Sequence, residues 1–277
     1  MVYGSATTPA DVKLHEELTW PGVAAATRAD APVLVPLGAT EQHCPHLPFG
    51  TDTFQGIEVA GRAVVTLAAE GIPAVLGPAI PYGPSQFLSE APRDFPGTIA
   101  LGHGTLTLLI GEVCRGLIRP GFMRLDLLLA NAETDPVMQI AAKEVVDSTG
   151  ADVVTLDWLV GAAPEDRGMR RSSWPQGHAG EGETARMLAI MPHLARMDQA
   201  KPCHPHIPPR AAHGDVMPYL GGGVGRFCFS EKVFAGFDDG IRGEPANATA
   251  EDGHAHHGIF AGWVTRVIAA DKRNTAG

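Results

Sequence analysis

Residues 31–54 read APVLVPLGATEQHCPHLPFGTDTF, an apolar run that leads into a loop rich in acidic and imidazole side chains. The apolar part, 31–39, is typical of a short buried strand. Glu41, His43 and Asp52 follow it within twelve positions. Carboxylate oxygens and imidazole nitrogens bind divalent metals, so the loop is either a metal site at the end of a strand or an ordinary polar loop.

The rest of the chain alternates between apolar runs of strand length and longer segments with helical spacing. Strands that alternate with helices indicate a mostly parallel sheet with helices on both faces. No domain boundary is evident, so we expect one α/β domain over 1–277, with 1–20 and 265–277 peripheral. Segment 198–258, rich in Pro, Gly and His, is expected to form long loops over the sheet. The predicted strands are 31–39, 72–83, 122–132 and 151–161, and the predicted helices are 53–71, 104–121, 135–150 and 182–195.

The composition excludes several classes of protein. A chain of 277 residues with 44% apolar and 19% charged residues can bury a large core. Its formal net charge of −10 leaves no excess of Lys and Arg to neutralise the phosphates of a nucleic acid. No apolar run reaches the roughly 18 residues of a membrane span, and the N-terminus lacks the features of a signal peptide. The cysteines are widely spaced, so we expect a cytoplasmic protein with free thiols and no nucleic-acid or membrane partner.

Two loops are expected at the same edge of the sheet, because sites in parallel sheets collect outside the carboxyl ends of the strands. Side chains from the two loops can therefore meet in space. A pair of divalent ions about 3.5–4 Å apart polarises a carbonyl group and supplies a hydroxide near neutral pH. The loop after the first strand carries Glu41, His43 and Asp52, and the loop after the third strand carries Asn131, Glu133 and Asp135.

The segment PLGATEQHCPHLPFGTD, residues 36–52, resembles the signature of the creatininase family of metal-dependent amidohydrolases, which runs roughly P-x-G-(S/A)-x-E-Q-H-G-P-H-L-P-x-x-T-D. The resemblance extends over about residues 30–255. It implies an α/β/α sandwich, usually assembled as a homohexamer, that cleaves the C–N bond of a cyclic or linear amide with two metal ions. The further similar segments are FPGT (95–98), RPGFMRLDLLLAN (119–131), GHAGEGETARML (177–188) and GIRGEPANATAEDG (240–253).

Carried over by position, the resemblance implies that Glu41 and His43 bind one metal each and that Asp52 bridges the two. This chain departs from the family where the pattern N-G-H-G-G-N is replaced by NAETDP, residues 131–136. Glu133 stands there in place of the ligand histidine. Two smaller departures are a cysteine in place of the glycine after His43, and SEAPRD where the family commonly has Glu-His before FPGT.

The last ligand has two candidates under the resemblance. Creatininases proper take it from a position that matches Asp135, and other members take it from a position that matches Glu183. Either choice gives one imidazole among four carboxylates, a set that favours Mn²⁺, Mg²⁺ or Fe²⁺ over Zn²⁺. Under the resemblance we expect two divalent ions, with zinc, manganese and iron as the candidates. The changed motif has either retuned the metal site for another substrate or destroyed one metal position.

Two further residues are candidates for catalysis because of the resemblance. His178 matches a histidine that faces the metal site and serves in proton transfer, which suits an imidazole near neutral pH. Trp174 matches a tryptophan that lies over the substrate in creatininases proper, although it is equally well explained as a core or interface residue. Glu183 starts a predicted helix, where the helix dipole stabilises a carboxylate. The histidines of CHPH (203–206) and HAHH (254–257) are expected at the surface or at an interface, because they lack a complete set of zinc ligands.

These observations lead to two hypotheses from different classes. The first is a cytoplasmic, hexameric enzyme that acts on a small-molecule amide, lactam or formamide, at a C–N bond other than a peptide bond, in the hydrolytic direction or in the ring-closing direction of a biosynthetic pathway. In this hypothesis His178 passes a proton to the leaving nitrogen and Glu183 completes the site. The second is a catalytically silent homologue that serves as a binding or scaffold subunit.

Overall fold

The computed structural model describes residues 14–85, 95–172, 177–202, 204 and 243–275. A sheet of four described strands lies at its centre, and each neighbouring pair is parallel. The order across the sheet is β2-β1-β3-β4, which confirms the predicted parallel sheet. The strands are β1 Val33–Leu37, β2 Val75–Leu76, β3 Arg124–Leu129 and β4 Asp152–Leu156.

The α-helices of the described residues flank this sheet. They are α1 Trp20–Arg28, α2 Thr51–Ala69, α3 His103–Ile118, α4 Asp135–Thr149, α5 Trp158–Gly161, α6 Ala163–Asp166, α7 Glu181–Ile190 and α8 Ala250–Thr275. Short 3₁₀ turns lie at His15–Glu17, Ala132–Thr134, Arg167–Met169, Pro192–Leu194, Met197–Gln199 and Pro245–Asn247. Among the described helices, none has a stretch of the length and hydropathy that a membrane span requires.

The three layers follow from the alternation of side chains along β1. Successive side chains of a strand point to opposite faces of the sheet. Leu34 packs into an apolar cluster with Val64 of α2 and Phe260 of α8. Its neighbour Val35 belongs to a second cluster on the other face, with Ile110 of α3. Both faces are therefore covered by helices, and the predicted α/β/α sandwich is confirmed.

All four strands are shorter than predicted, and two of the differences have a clear local cause. The strand predicted over 72–83 is reduced to β2, because the Pro- and Gly-rich part beyond it pairs only through isolated bridges such as that between Leu37 and Ile80. The strand predicted over 151–161 ends at Leu156. The side chain of Asp157 then accepts a hydrogen bond from the backbone N–H of Val160 at 3.1 Å, which caps a short helix in place of the strand.

The prediction of loops over 198–258 is wrong at its carboxyl-terminal end, where α8 begins at Ala250. The hydroxyl of Thr249 accepts a hydrogen bond from the backbone N–H of Asp252, as an N-cap does. The prediction that 265–277 is peripheral is wrong for the part within α8, since Ile268 and Ala269 are buried in the core. Residues 205–242 lie outside the described part of the chain.

The expectation of surface histidines is wrong for two residues of α8. His256 and His257 are buried, because helical spacing turns them toward the core. His256 Nδ1 lies 2.5 Å from a carboxylate oxygen of Asp166, and His257 Nε2 donates to the backbone oxygen of Arg186 at 3.2 Å. These contacts attach α8 to α6 and α7.

Helices α7 and α8 approach each other closely at Gly253. A Cβ atom added at Gly253 would lie 1.9 Å from the backbone oxygen of Ala185, whereas one added at Gly258 would meet nothing within 4 Å. We expect Gly253→Ala to lower the free energy of unfolding by about 1–3 kcal/mol, because the helices must move apart. Gly258→Ala is the matched control and should raise it by about 0.5–1 kcal/mol through helix propensity. Urea unfolding measures both, and equal effects would contradict the packing argument.

Candidate metal centre

The loop after β1 and the first turn of α2 bring three acidic and imidazole side chains together. The loop folds back on itself, with an antiparallel bridge between His43 and Leu47 and a hydrogen bond from Glu41 N to Phe49 O of 3.1 Å. This return places Asp52, in the first turn of α2, against the imidazole, with 3.1 Å between His43 Nε2 and Asp52 Oδ1. Glu41, His43 and Asp52 are all buried.

The segment that starts α7 supplies two more side chains to the same place. Glu183 Oε2 lies 3.7 Å from His43 Nε2 and accepts a hydrogen bond of 2.6 Å from the backbone N–H of Ala179. His178 Nδ1 lies 3.5 Å from Glu41 Oε1. The centroids of the His178 and His43 rings are 4.3 Å apart. Residues that are far apart in the sequence therefore meet at the carboxyl edge of β1.

These side chains form two overlapping groups whose donor atoms lie within 4.8 Å of one another. One group is Glu41, His43 and His178, and the other is His43, Asp52 and Glu183. Two ligands that each bind a tetrahedral ion at about 2.1 Å lie about 3.4 Å apart. The separations of 3.1 Å and 3.7 Å from His43 Nε2 to the two carboxylates bracket that value.

The orientation of the His43 ring is also that of a metal ligand. Its Nδ1 lies 3.1 Å from the backbone oxygen of Glu41. A carbonyl oxygen only accepts hydrogen bonds, so Nδ1 donates to it, and Nε2, which faces the carboxylates of Asp52 and Glu183, is the nitrogen that can bind a metal ion once it releases its proton. Metal-bound histidines are held in the same way, with the second ring nitrogen donating to a backbone carbonyl or a carboxylate. The residues present therefore fit a divalent ion.

The electrostatics of the cluster indicate an excess of buried negative charge. Burial, followed by the charge of Asp52, raises the pKa of Glu41 to about 8. Burial also raises the pKa of Glu183, and burial with the charges of Glu41 and Asp52 holds the pKa of Glu133 well above its usual value. Burial alone would lower the pKa of His43, but the neighbouring carboxylates, Asp52 foremost, raise it to about 10. A bound cation would neutralise this charge.

Two hydrogen-bond donors orient the carboxylates. Asn131 Nδ2 lies 3.0 Å from Asp52 Oδ2 and 3.3 Å from Glu41 Oε2. Ser85 donates a short hydrogen bond to the same oxygen of Glu41. The sequence pattern placed Asn131 near the site without a role, and it gave no signal for Ser85, which lies in the irregular segment after β2.

The backbone explains why the family pattern has a glycine after the histidine. Cys44 has a φ of 61°, in the left-handed region that glycine adopts most readily. The glycine that the family has at this position therefore suits the turn after His43. Ala179, between the two site residues of the α7 segment, has a φ of 51° and is held in the same region.

The remaining candidates from the sequence do not contribute to the two donor groups of the described residues. Glu133 and Asp135 belong to neither donor group of the described residues. Glu133 is close enough to Glu41 and Asp52 for their charges to raise its pKa, whereas both carboxylate oxygens of Asp135 accept hydrogen bonds from Gln139, at 2.9 and 2.8 Å. The structure thus brings Glu183, and not Asp135, to the buried imidazole. Trp174 lies outside the described residues.

The fold is a parallel α/β/α sandwich, and carboxylates and imidazoles that could hold a metal ion lie together at one edge of its sheet. These two features define the class, an α/β protein with a candidate metal site. The comparison with known proteins gives the family. Residues 16–269 match the family described as "Creatininase: Creatinine amidohydrolase". The chain belongs to the creatininase family, which confirms the resemblance seen in the sequence.

Two relatives and two solved structures illustrate this membership. The chain is 31% identical over 243 residues to the mycofactocin precursor peptide peptidase of Mycolicibacterium smegmatis, covering 87% of this chain and 84% of that protein. It is 30% identical over 196 residues to the creatinine amidohydrolase of Pseudomonas putida, covering 66% and 74%. A mutant creatininase described as Zn-Zn type superposes with a TM-score of 0.77 at 23% identity, covering 95% and 99% of the two chains. A structure described as creatininase Mn gives 0.73 at 23% identity, covering 94% and 99%.

Proposed function

We propose that the protein is a metal-dependent hydrolase that cleaves the C–N bond of an amide. Members of the creatininase family act on amide C–N bonds, and this chain is related to a creatinine amidohydrolase and to a peptide peptidase. The observation that carries the proposal is the convergence of Asp52 and Glu183 on His43 at the carboxyl edge of the sheet. A buried loop with no ligand would not bring several carboxylates this close together.

The side chains of the cluster have distinct roles in this proposal. Glu41, His43, Asp52 and Glu183 hold divalent metal, and we propose two ions of zinc, manganese or iron. When bound, such ions polarise a carbonyl group and lower the pKa of water. Asn131 and the backbone N–H of Ala179 fix the carboxylates, so that their oxygens stay in place when a substrate enters.

The substrate class should include peptides. The sequence-based hypothesis restricted the substrate to small cyclic or linear amides, such as lactams and formamides. The relative from Mycolicibacterium smegmatis is named as a peptidase and covers most of this chain, which argues against that restriction. We therefore propose an amide C–N bond in a small molecule or a short peptide, with hydrolysis as the direction to be tested first.

Assaying the purified protein against a panel of amides tests the proposal. Loaded with Zn²⁺ or Mn²⁺, it is expected to hydrolyse at least one class among creatinine, simple lactams, N-formyl amines and short peptides, with a chelator abolishing the release of amine. His254→Gln, which changes an exposed histidine that contacts Arg62, is the matched control and should retain activity. Full metal binding without turnover of any class would instead support the second hypothesis, a binding or scaffold subunit.

A homohexameric assembly is also proposed, on the basis of the family resemblance. Exposed apolar side chains such as Leu108 of α3 and Ile140 of α4, which are 62% and 53% exposed, are available for contacts between subunits. Light scattering on the purified protein is expected to report an oligomer of six subunits. A monomer at micromolar concentration would contradict this prediction.

A further inference from the structure

We propose that His178 is a metal ligand, and that it supplies the second imidazole of the centre. This inference rests on the proposed metal-dependent function. It differs from the role in proton transfer that the family resemblance implies for this histidine.

The tautomer of His178 is set by a backbone carbonyl. Nε2 lies 2.5 Å from the backbone oxygen of Gln42, which can only accept, so Nε2 must carry the proton. The side-chain amide nitrogen of Gln42 is 3.4 Å from Nε2, beyond the usual range of an N–H hydrogen bond, so the shorter contact decides. The other ring nitrogen, Nδ1, therefore presents a lone pair.

That lone pair faces a second acceptor. Nδ1 of His178 lies 3.5 Å from Glu41 Oε1, which is too long for a hydrogen bond. The hydrogen bonds described for the Glu41 carboxylate, from Ser85 and Asn131, both go to its other oxygen, Oε2. When Glu41 is ionised, the imidazole lone pair and the carboxylate oxygen repel each other in this buried site unless a cation lies between them. Their separation also matches the roughly 3.4 Å between two ligands of a tetrahedral ion.

The same arrangement occurs at His43, the imidazole of the family signature. In both histidines one ring nitrogen donates to a backbone carbonyl of the loop after β1, Glu41 O or Gln42 O, and the other faces carboxylate oxygens. This is the orientation of metal-bound histidines. The left-handed conformation of Ala179 directly follows His178, and its N–H binds Glu183, so one turn fixes both side chains.

The inference accounts for the missing histidine of the family motif. Glu133 stands at that position but belongs to neither donor group of the described residues. With His178 as a ligand, the centre keeps two imidazoles although the motif has lost one. Because imidazole is a softer ligand than carboxylate, this set favours Zn²⁺ more than the set with one imidazole does.

Counting coordinated imidazoles tests the inference without an activity assay. Pulsed EPR of the full-length protein with half an equivalent of Cu²⁺ is expected to show two imidazoles in the wild type and one in His178→Gln. Competition with a chelator should show that His178→Gln binds Zn²⁺ at least about 100-fold more weakly, since even loss of an outer partner costs about 10–100-fold. His254→Gln and Glu133→Gln should retain both imidazoles and lose less than the roughly 10-fold in affinity that removal of an outer partner costs.

The outcomes separate this inference from the function on which it rests. One imidazole in the wild type, with an unchanged affinity in His178→Gln, would overturn the inference and leave the proposed hydrolase intact. A large loss of Zn²⁺ affinity in Glu133→Gln, with no loss in His178→Gln, would show that Glu133 is the ligand instead. Absence of metal binding by the wild type would overturn the proposed function itself. The melting temperature of His178→Gln in chelator shows whether the variant folds. If it does not fold, the number of imidazoles that pulsed EPR detects in the wild type still tests the inference.

Discussion

Replacing Glu41 with glutamine is expected to stabilise the metal-free protein and to remove most of the stabilisation that bound metal provides. Burial, followed by the charge of Asp52, raises the pKa of Glu41 from 4.5 to about 8. At pH 7 the unfolded chain ionises this group freely and the folded chain does not, which costs the fold about 3 kcal/mol. Glutamine keeps the shape, accepts the bonds from Ser85 and Asn131, and carries no such cost.

The sign of the pH dependence follows from the raised pKa. The folded state holds a proton that the unfolded state releases, so stability from this group is fully present below about pH 4.5 and is lost as the pH rises to about 8. Glu41→Gln lacks this loss. In urea unfolding with chelator, the variant's advantage over the wild type should therefore be larger at pH 8 than at pH 5.

Bound metal is expected to stabilise the wild type more than Glu41→Gln, the opposite of the order in chelator. At a metal concentration a hundredfold above its Kd, the wild type gains about 2.7 kcal/mol. Loss of a ligand that weakens binding about 100-fold leaves a gain of about 0.4 kcal/mol at the same concentration. Asp135→Asn is the matched control and should change neither quantity, because Asp135 belongs to neither donor group. A variant that is less stable than the wild type in chelator at pH 8, with an unchanged gain from metal, would show that Glu41 does not face the ion.

The local half of the site could be predicted from the sequence, and the distant half could not. Glu41, His43 and Asp52 lie within one loop and one helical turn, so their spacing alone indicates a metal site or a polar loop. Glu183 reaches His43 from a segment about 140 positions further along the chain. Only the family resemblance suggested that contact, because spacing in the sequence contains no information about how α7 packs on α2.

The errors in the predicted fold have a common physical cause, which is tertiary packing that overrides local composition. Pro, Gly and His predicted loops up to 258, yet Gly253 lies inside α8, at a position where a side chain would collide with α7. Trp158 belongs to an apolar run that favours a strand, but the capping bond from Val160 to Asp157 starts a helix. In both places the average conformational preference of the residue type predicts one structure, and packing or capping in the folded chain produces another.

Charged residues hidden within an apolar strand were missed for the same reason. The strand predicted over 122–132 rests on an apolar run, and the observed β3, RLDLLL, contains two charged residues within that run. Arg124 and Asp126 are both buried in it, on the same face, since they lie two positions apart. A single sequence does not show whether such a pair forms an ion pair inside the fold or is exposed to solvent at the edge of the sheet.

Replacing Arg124 with methionine is expected to lower the free energy of unfolding by about 3–5 kcal/mol. The guanidinium group is paired with Asp126 at 2.8 Å, with Asp152 at 2.8 Å and with Asp271 at 3.0 Å, and so connects β3 to β4 and to α8. Asp126 is fully buried, and burial already raises its pKa although Arg124 lowers it. Methionine would fill the space of the side-chain stem and leave a buried carboxylate without a cation. Urea unfolding in chelator measures the loss.

A second substitution separates the lost pair from lost packing. In Arg124→Met/Asp126→Leu no charge is left buried, so most of the stability should return, as it does when a buried ion pair is replaced as a whole. Arg266→Met removes a largely exposed partner of Glu165 and should cost less than about 1 kcal/mol. Since an unpaired Asp126 folds more readily when protonated, the single variant should lose less at pH 4 than at pH 8. A loss that is the same at both pH values, and that persists in the double variant, would assign the effect to packing at the end of β3.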